Sequence, residues 1–189
     1  MQQQISDWNK LRDEIHQNSV AHGFWENTPG KEHFLCLVIS ELMEAVEADR
    51  KDRRTNQSLL PHFKDPDKYF SSEKGFNYYF EMYVKDTVED ELADAVIRLL
   101  DLAGANAVNM NVSDNPFPMF PDVNSSFTEN IFQIVQMLTK DSIPLYETLN
   151  VCRMQICKLA ESMGVNISWH IQKKMCYNAS RDYKHGKLY

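Results

Sequence analysis

The apolar residues of this chain recur at intervals of three and four, strict alternation is scarce, and only six of its 189 residues are glycine. That period belongs to a helix with one buried stripe, not to a strand, whose period is two. An all-α fold with no substantial sheet is therefore expected. A first helix is read over about Ile5 to His22. After the turn Gly23-Phe-Trp-Glu-Asn-Thr-Pro-Gly30, a second runs from about Lys31 into the charged stretch Asp49-Arg-Lys-Asp-Arg-Arg54. Phe76, Tyr79, Phe80 and Tyr83 fall at i, i+3, i+4 and i+7 of a short helix, a stripe that reads as core before it reads as a stacking surface. The next helix covers about Asp86 to Ala103, with Val88, Leu92, Ala95, Val96, Leu99 and Ala103 on its buried face and Gly104 closing it. Ser126-x-x-Glu129 is a capping box opening a helix to about Lys140. Pro144 suits the first turn of another, ending near Gly164, and Ser168 is placed to cap the last. Residues 55–72, with Pro61 and Pro66, and 105–125, with Pro116, Pro118 and Pro121, read as loops.

A single domain over residues 1–189 is expected, since this length buries a sufficient core without disulfide staples. The four cysteines form no Cys-x-x-Cys pair and read as buried thiols. The opening Met1-Gln-Gln-Gln-Ile-Ser-Asp-Trp8 lacks the basic and apolar regions of a signal peptide, and no apolar run reaches the length of a membrane span. A cytoplasmic protein is expected. A net charge of −7 argues against general nucleic-acid binding, which depends on Lys and Arg neutralising phosphates. The charge is uneven: residues 168–189 carry +4 and the remainder −11. Such a tail can draw a small polyanion towards cations held by the acidic body, although a solvated chain end reads equally well.

Within the second helix, Glu41 and Glu44 are three residues apart, on neighbouring parts of one face, and both can reach the same ion. Glu41 is flanked by Leu37 and Val38 on one side and by Ala45 and Ala48 on the other, which puts it inside the apolar sector. A buried carboxylate needs compensation, because burial penalises its charged form. A cation supplies it. Glu91 and Asp94 repeat the spacing, but with Arg98 and Asp101 they form a polar stripe that a solvated amphipathic helix would also show, Asp94 and Arg98 being a surface ion pair. Each acidic pair taken singly is more simply a solvated face. Packed antiparallel, the two helices would bring the pairs together as four hard oxygen donors suited to Mg²⁺ or Mn²⁺. Near the end of the chain, Lys174, Asn178 and Arg181 lie at i, i+4 and i+7 and line one stripe of the last helix. That stripe suits phosphate oxygens and a base edge or sugar hydroxyl, or simply solvent.

Glu41-x-x-Glu44 followed by Glu91-x-x-Asp94 resembles the E-x-x-E…E-x-x-D signature of the all-α nucleoside triphosphate pyrophosphohydrolase superfamily, most closely its MazG-like branch. Gly23-Phe-Trp25, the segments 40–51 and 91–104, and the tail from Lys174 through Asn178 and Arg181 to Tyr189 also look like that family's blocks. The resemblance implies a MazG-like helical bundle completed by oligomerisation, as a homodimer or a dimer of dimers. It implies Mg²⁺-dependent hydrolysis of a nucleoside triphosphate to the monophosphate and pyrophosphate. Glu41, Glu44, Glu91 and Asp94 would bind the metal, with one of them orienting the attacking water. Lys174 and Arg181 would hold phosphate, Asn178 the nucleoside, and Trp25 would stack on the base. Glu47 and Asp101 are second candidates, read as flanking or solvated acids.

Two departures limit the transfer. Between Glu44 and Glu91 lie 46 residues, more than a compact member needs, and insertions are read at about 55–85 and 105–150. Base and sugar preference therefore do not carry over. A dUTP- or dCTP-specific pyrophosphatase of the same superfamily is one alternative, and a catalytically silent helical interaction protein is another. A di-iron carboxylate bundle is set aside, because none of the six histidines lies three residues after a Glu.

Overall fold

In a computed structural model, residues 5–27, 29–56, 58, 75–112, 120–122, 124–186 and 188 are described. Among them the chain forms seven α-helices and no strand, as the apolar period predicts. They are α1 (Trp8–Ala21), α2 (Lys31–Arg50), α3 (Gly75–Tyr83), α4 (Val88–Ala105), α5 (Phe127–Leu138), α6 (Leu145–Ser162) and α7 (Ile167–Ala179), with a 3-10 turn at Tyr183–Gly186. Most of the loop read over 55–72 lies outside the described residues, as do Pro116 and Pro118.

Side-chain caps set four of the helix starts. Asp7 accepts from the backbone N–H of Asn9 and Lys10, Thr87 from that of Asp90, and Ser126 and Glu129 form the expected capping box. Two expectations are corrected. The last helix is capped by Asn166, which accepts from Trp169 N–H, so Ser168 sits inside it. Gly104 does not end α4, which continues to Ala105 with Asn106 as its cap. Its lack of a side chain serves packing instead: a Cβ there would lie 2.5 Å from the Cβ of His16 on α1.

The centre of the molecule is α4. Thirteen of its eighteen residues are buried, among them Glu89, Asp90, Glu91 and Asp101, so most of its acids are surrounded by protein. Around it pack α1, α2, α6 and α7. At the end of α2, the Arg53 carbonyl accepts from Val88 N–H at the start of α4, while Glu41 pairs with Arg98 further along. The two helices thus run antiparallel, the arrangement that brings their acids face to face. One continuous apolar core includes Val38 and Leu42 of α2, Leu92 and Leu99 of α4, Ile131 and Ile134 of α5, and Ile156 of α6. Residues 105–150, read as an insertion, therefore build part of the main core. Of the aromatic stripe of α3, Phe80 is core, fully buried and stacked on Tyr177 of α7 at 4.8 Å in a small second cluster, while Phe76, Tyr79 and Tyr83 pack against it half-buried. Burying a side chain of this size contributes about 1.5–3 kcal/mol, which fixes α7 from behind.

All four cysteines are free; Cys152 is buried and Cys157 half-buried, but Cys36 and Cys176 are exposed, contrary to the expectation of buried thiols. Among the described residues no helix is long and apolar enough to cross a membrane.

Candidate metal centre

Antiparallel packing of α2 on α4 brings Glu41, Glu91 and Asp94 together, with carboxylate oxygens within 4.8 Å of one another. Glu41 is 6% and Glu91 3% exposed, and Asp94 is half-buried. The fourth expected ligand stands apart. Glu44 is exposed, its carboxylate near the Ser40 hydroxyl, on the rim of a small groove that Glu91 also lines. Three residues along a helix is a 60° offset, and here it carries Glu44 from the buried sector to the surface.

The cluster contains groups that local spacing does not reveal. Asp90 is fully buried, and its Oδ2 accepts from Asp86 N–H at 3.1 Å and from Lys174 Nζ at 2.6 Å. Lys174 also reaches Asp94 at 2.7 Å. The residue expected to hold phosphate is thus committed to two carboxylates and almost wholly buried. Arg98, expected to pair with Asp94 along its own helix, crosses to α2 and donates to Glu41 at 3.0 Å. Glu91 has neither an ion pair nor a side-chain hydrogen bond among the described residues.

The electrostatics follow from this arrangement. Burial, reinforced by Asp94 and Asp90, pushes the Glu91 carboxyl up to about 9. Burial likewise raises Asp90 to about 7, with Lys174 opposing the rise and Asp94 adding to it. Glu41 is raised by burial and by Asp94, against the pull of Arg98. For Lys174 burial works against the charge, and Asp94 and Asp90 override it, holding the ammonium above the ordinary lysine range. Were all four acids, Glu41, Asp90, Glu91 and Asp94, ionised, the two cations Arg98 and Lys174 would leave two negative charges uncompensated, and without a metal the raised carboxyls hold protons instead. Converging hard oxygens, an unpartnered buried carboxylate and that residual charge fit one small divalent cation.

Asp94 and Arg98 also line a cavity of about 260 Å³ between α1, α4, α7 and the chain that follows α7. Ile15, Phe24, Ile97 and Met175 give it apolar walls, and Asn178, Arg181 and His185 add polar groups. Asn178 Oδ1 and His185 Nε2 are buried with no hydrogen-bond partner among the described residues. Of the tail stripe, Asn178 and Arg181 are therefore at the cavity and Lys174 is beneath the acids. Trp25 lies outside the lining: its ring stacks on Phe34 at 4.2 Å, and its Nε1 donates to Asp101 at 2.9 Å. The aromatic that reaches the cavity is the preceding residue, Phe24.

The two second candidates also separate. Asp101, 5% exposed, accepts from His16 Nδ1, Ser19 Oγ and Trp25 Nε1, tying α1 and the 22–26 turn to α4. Glu47 is exposed and pairs with Arg50 and Lys51, as a solvated acid does. Comparison with family models, with curated proteins and with solved structures found no match to this chain.

Proposed function

We propose that this chain is a Mg²⁺-dependent nucleoside triphosphate pyrophosphohydrolase, MazG-like in its acidic motif. One observation carries the reading: three carboxylates from two antiparallel helices converge where Asp94 opens onto a cavity lined by Asn178 and Arg181. Neither half suffices by itself, since acidic clusters and apolar cavities are each common. Their junction suits a ligand with an apolar ring at one end and a polyanion at the other.

Glu41, Glu91 and Asp94 would hold the ion, and Glu44 stands close enough to raise the Glu41 carboxyl and to approach from the surface side. When bound, Mg²⁺ supplies charge neutralisation for the phosphates and lowers the pKa of water for attack on phosphorus. The protein's own part is positioning. Arg98 fixes the Glu41 carboxylate, and Lys174 fixes Asp94 from beneath. Arg181, at the cavity wall, offers planar donors to phosphate oxygens, and the Asn178 amide offers a donor and an acceptor to the nucleoside. Ile15, Phe24, Ile97 and Met175 supply the apolar faces that a base needs.

The test is pyrophosphate and monophosphate release from a panel of ribo- and deoxynucleoside triphosphates, with and without Mg²⁺, for wild type, Glu41→Gln and Asp94→Asn. The proposal predicts Mg²⁺-dependent turnover that each substitution lowers at least a hundredfold. Turnover at wild-type level in both variants, or none in wild type on any substrate, removes it.

A further inference from the structure

The segment after α7 adopts an unusual backbone: Lys184 and His185, neither of them glycine, have φ of 47° and 51°. For residues with a Cβ such conformations cost about 1–3 kcal/mol each and persist only where surrounding contacts impose them. From outside the segment and α7, those contacts come from the turn between α1 and α2. Lys184 N–H donates to the His22 carbonyl at 2.9 Å. The Tyr183 hydroxyl donates to the Glu26 carboxylate, which Lys184 Nζ also approaches at 3.7 Å. The Tyr183 ring lies over Gly23, where any Cβ would collide with it, and Gly23 itself is left-handed at φ 82°. On the inner side, Arg181 donates to the His185 carbonyl at 3.1 Å, and both residues line the cavity.

We propose that residues 181–186 are a strap latched onto the 22–26 turn, and that Gly23, Glu26 and Tyr183 are positioning residues that hold Arg181 and His185 in the cavity wall. None of the three lies in the metal centre, and Tyr183 and Glu26 are exposed. Their role is to settle the strained strap before a ligand arrives, so that binding does not bear the cost of ordering it. This inference rests on the cavity being the nucleotide site, and its test separates the two.

The test compares wild type with Tyr183→Phe/Glu26→Gln, which removes the charged hydrogen bond and leaves the ring, and with Gly23→Ala. Hydrogen exchange of the Lys184 and His185 amides reads the latch without any ligand. Affinity for the non-hydrolysable α,β-imido analogue of whichever nucleoside triphosphate the substrate panel hydrolyses fastest, with Mg²⁺, reads its consequence. Expected are at least tenfold faster exchange at those amides in both variants, analogue Kd raised about five- to tenfold, and unchanged Mg²⁺ affinity. For hydrolysed substrates, KM rises and kcat stays within twofold. Replacing Tyr183 by Ala in the Gly23→Ala background removes the collision and narrows the difference from Tyr183→Ala alone. Unchanged amide exchange overturns the latch; faster exchange with unchanged analogue affinity overturns the positioning role. An analogue that binds no variant, wild type included, overturns the nucleotide reading of the cavity, while the exchange data still decide the latch.

Discussion

Replacing Lys174 with methionine isolates the cation that holds the acidic cluster together. The Lys174 side chain is 6% exposed and bridges Asp90 at 2.6 Å and Asp94 at 2.7 Å, while Asp90 is fully buried and its Oδ1 has no partner among the described residues. Methionine keeps the length and apolar contacts of the stem and removes only the ammonium. Breaking a buried pair from one side costs about 3–5 kcal/mol, because the surviving charge is left without compensation. For a chain of this size each kcal/mol moves Tm by about 2–4 °C, so the metal-free variant should melt on the order of 10 °C lower. The loss also raises the excess of acidic groups over cations in the cluster from two to three. Mg²⁺ should therefore raise the variant's Tm by more than it raises the wild type's. Thermal melts by circular dichroism in EDTA and in a Mg²⁺ series read both effects. A variant melting within 2 °C of wild type in EDTA, or gaining less from Mg²⁺, would refute the charge argument.

Three further outcomes follow from the same geometry. Glu91→Gln removes a buried carboxyl that has no partner among the described residues, so in EDTA it should melt at or above wild type, by about 1 kcal/mol, while losing its Mg²⁺-induced shift; a lower melt in EDTA contradicts this. His170 is fully buried, its ring nitrogens have no hydrogen-bond partner among the described residues and burial depresses it to about 3, so the unfolded chain binds its proton first as pH falls below about 6.5. Stability from this residue is present above that pH and lost towards pH 3 at about 1.4 kcal/mol per unit. His170→Leu should flatten that part of the pH–stability curve, and parallel curves for the two proteins would show that the residue is not held neutral. Gly104→Ala should destabilise by about 1–2 kcal/mol despite the helix propensity of alanine, since its Cβ meets His16; a rise in denaturant midpoint would show that α1 yields freely.

The fold was legible because its apolar residues keep helical spacing, and because the Ser126–Glu129 box and Pro144 mark helix starts by local chemistry. Glu41 was legible for a related reason: its apolar neighbours on α2 announce burial before any partner is known. What local spacing misassigned were choices decided across helices. Arg98 has Asp94 four residues before it, yet it pairs with Glu41, 57 residues away in sequence. Asp90, in the first turn of α4, reads as an ordinary acid favoured by a helix N-terminus, and only the packing of α7 reveals it as the buried partner of Lys174. Gly104 has the position of a helix stop and serves as a contact point for α1. The cavity joins α1 and α4 to a tail more than 70 residues further on, so although Phe24 and His185 fall within the family-like blocks, no local spacing marked either as lining it.

The most direct test of the account is crystallographic: soak or grow crystals with Mn²⁺ and record anomalous scattering near the manganese edge. One strong peak coordinated by Glu41, Glu91 and Asp94 is expected, absent from crystals of Glu91→Gln. No peak among those three carboxylates at saturating Mn²⁺, or a peak there that survives Glu91→Gln at full height, would contradict it.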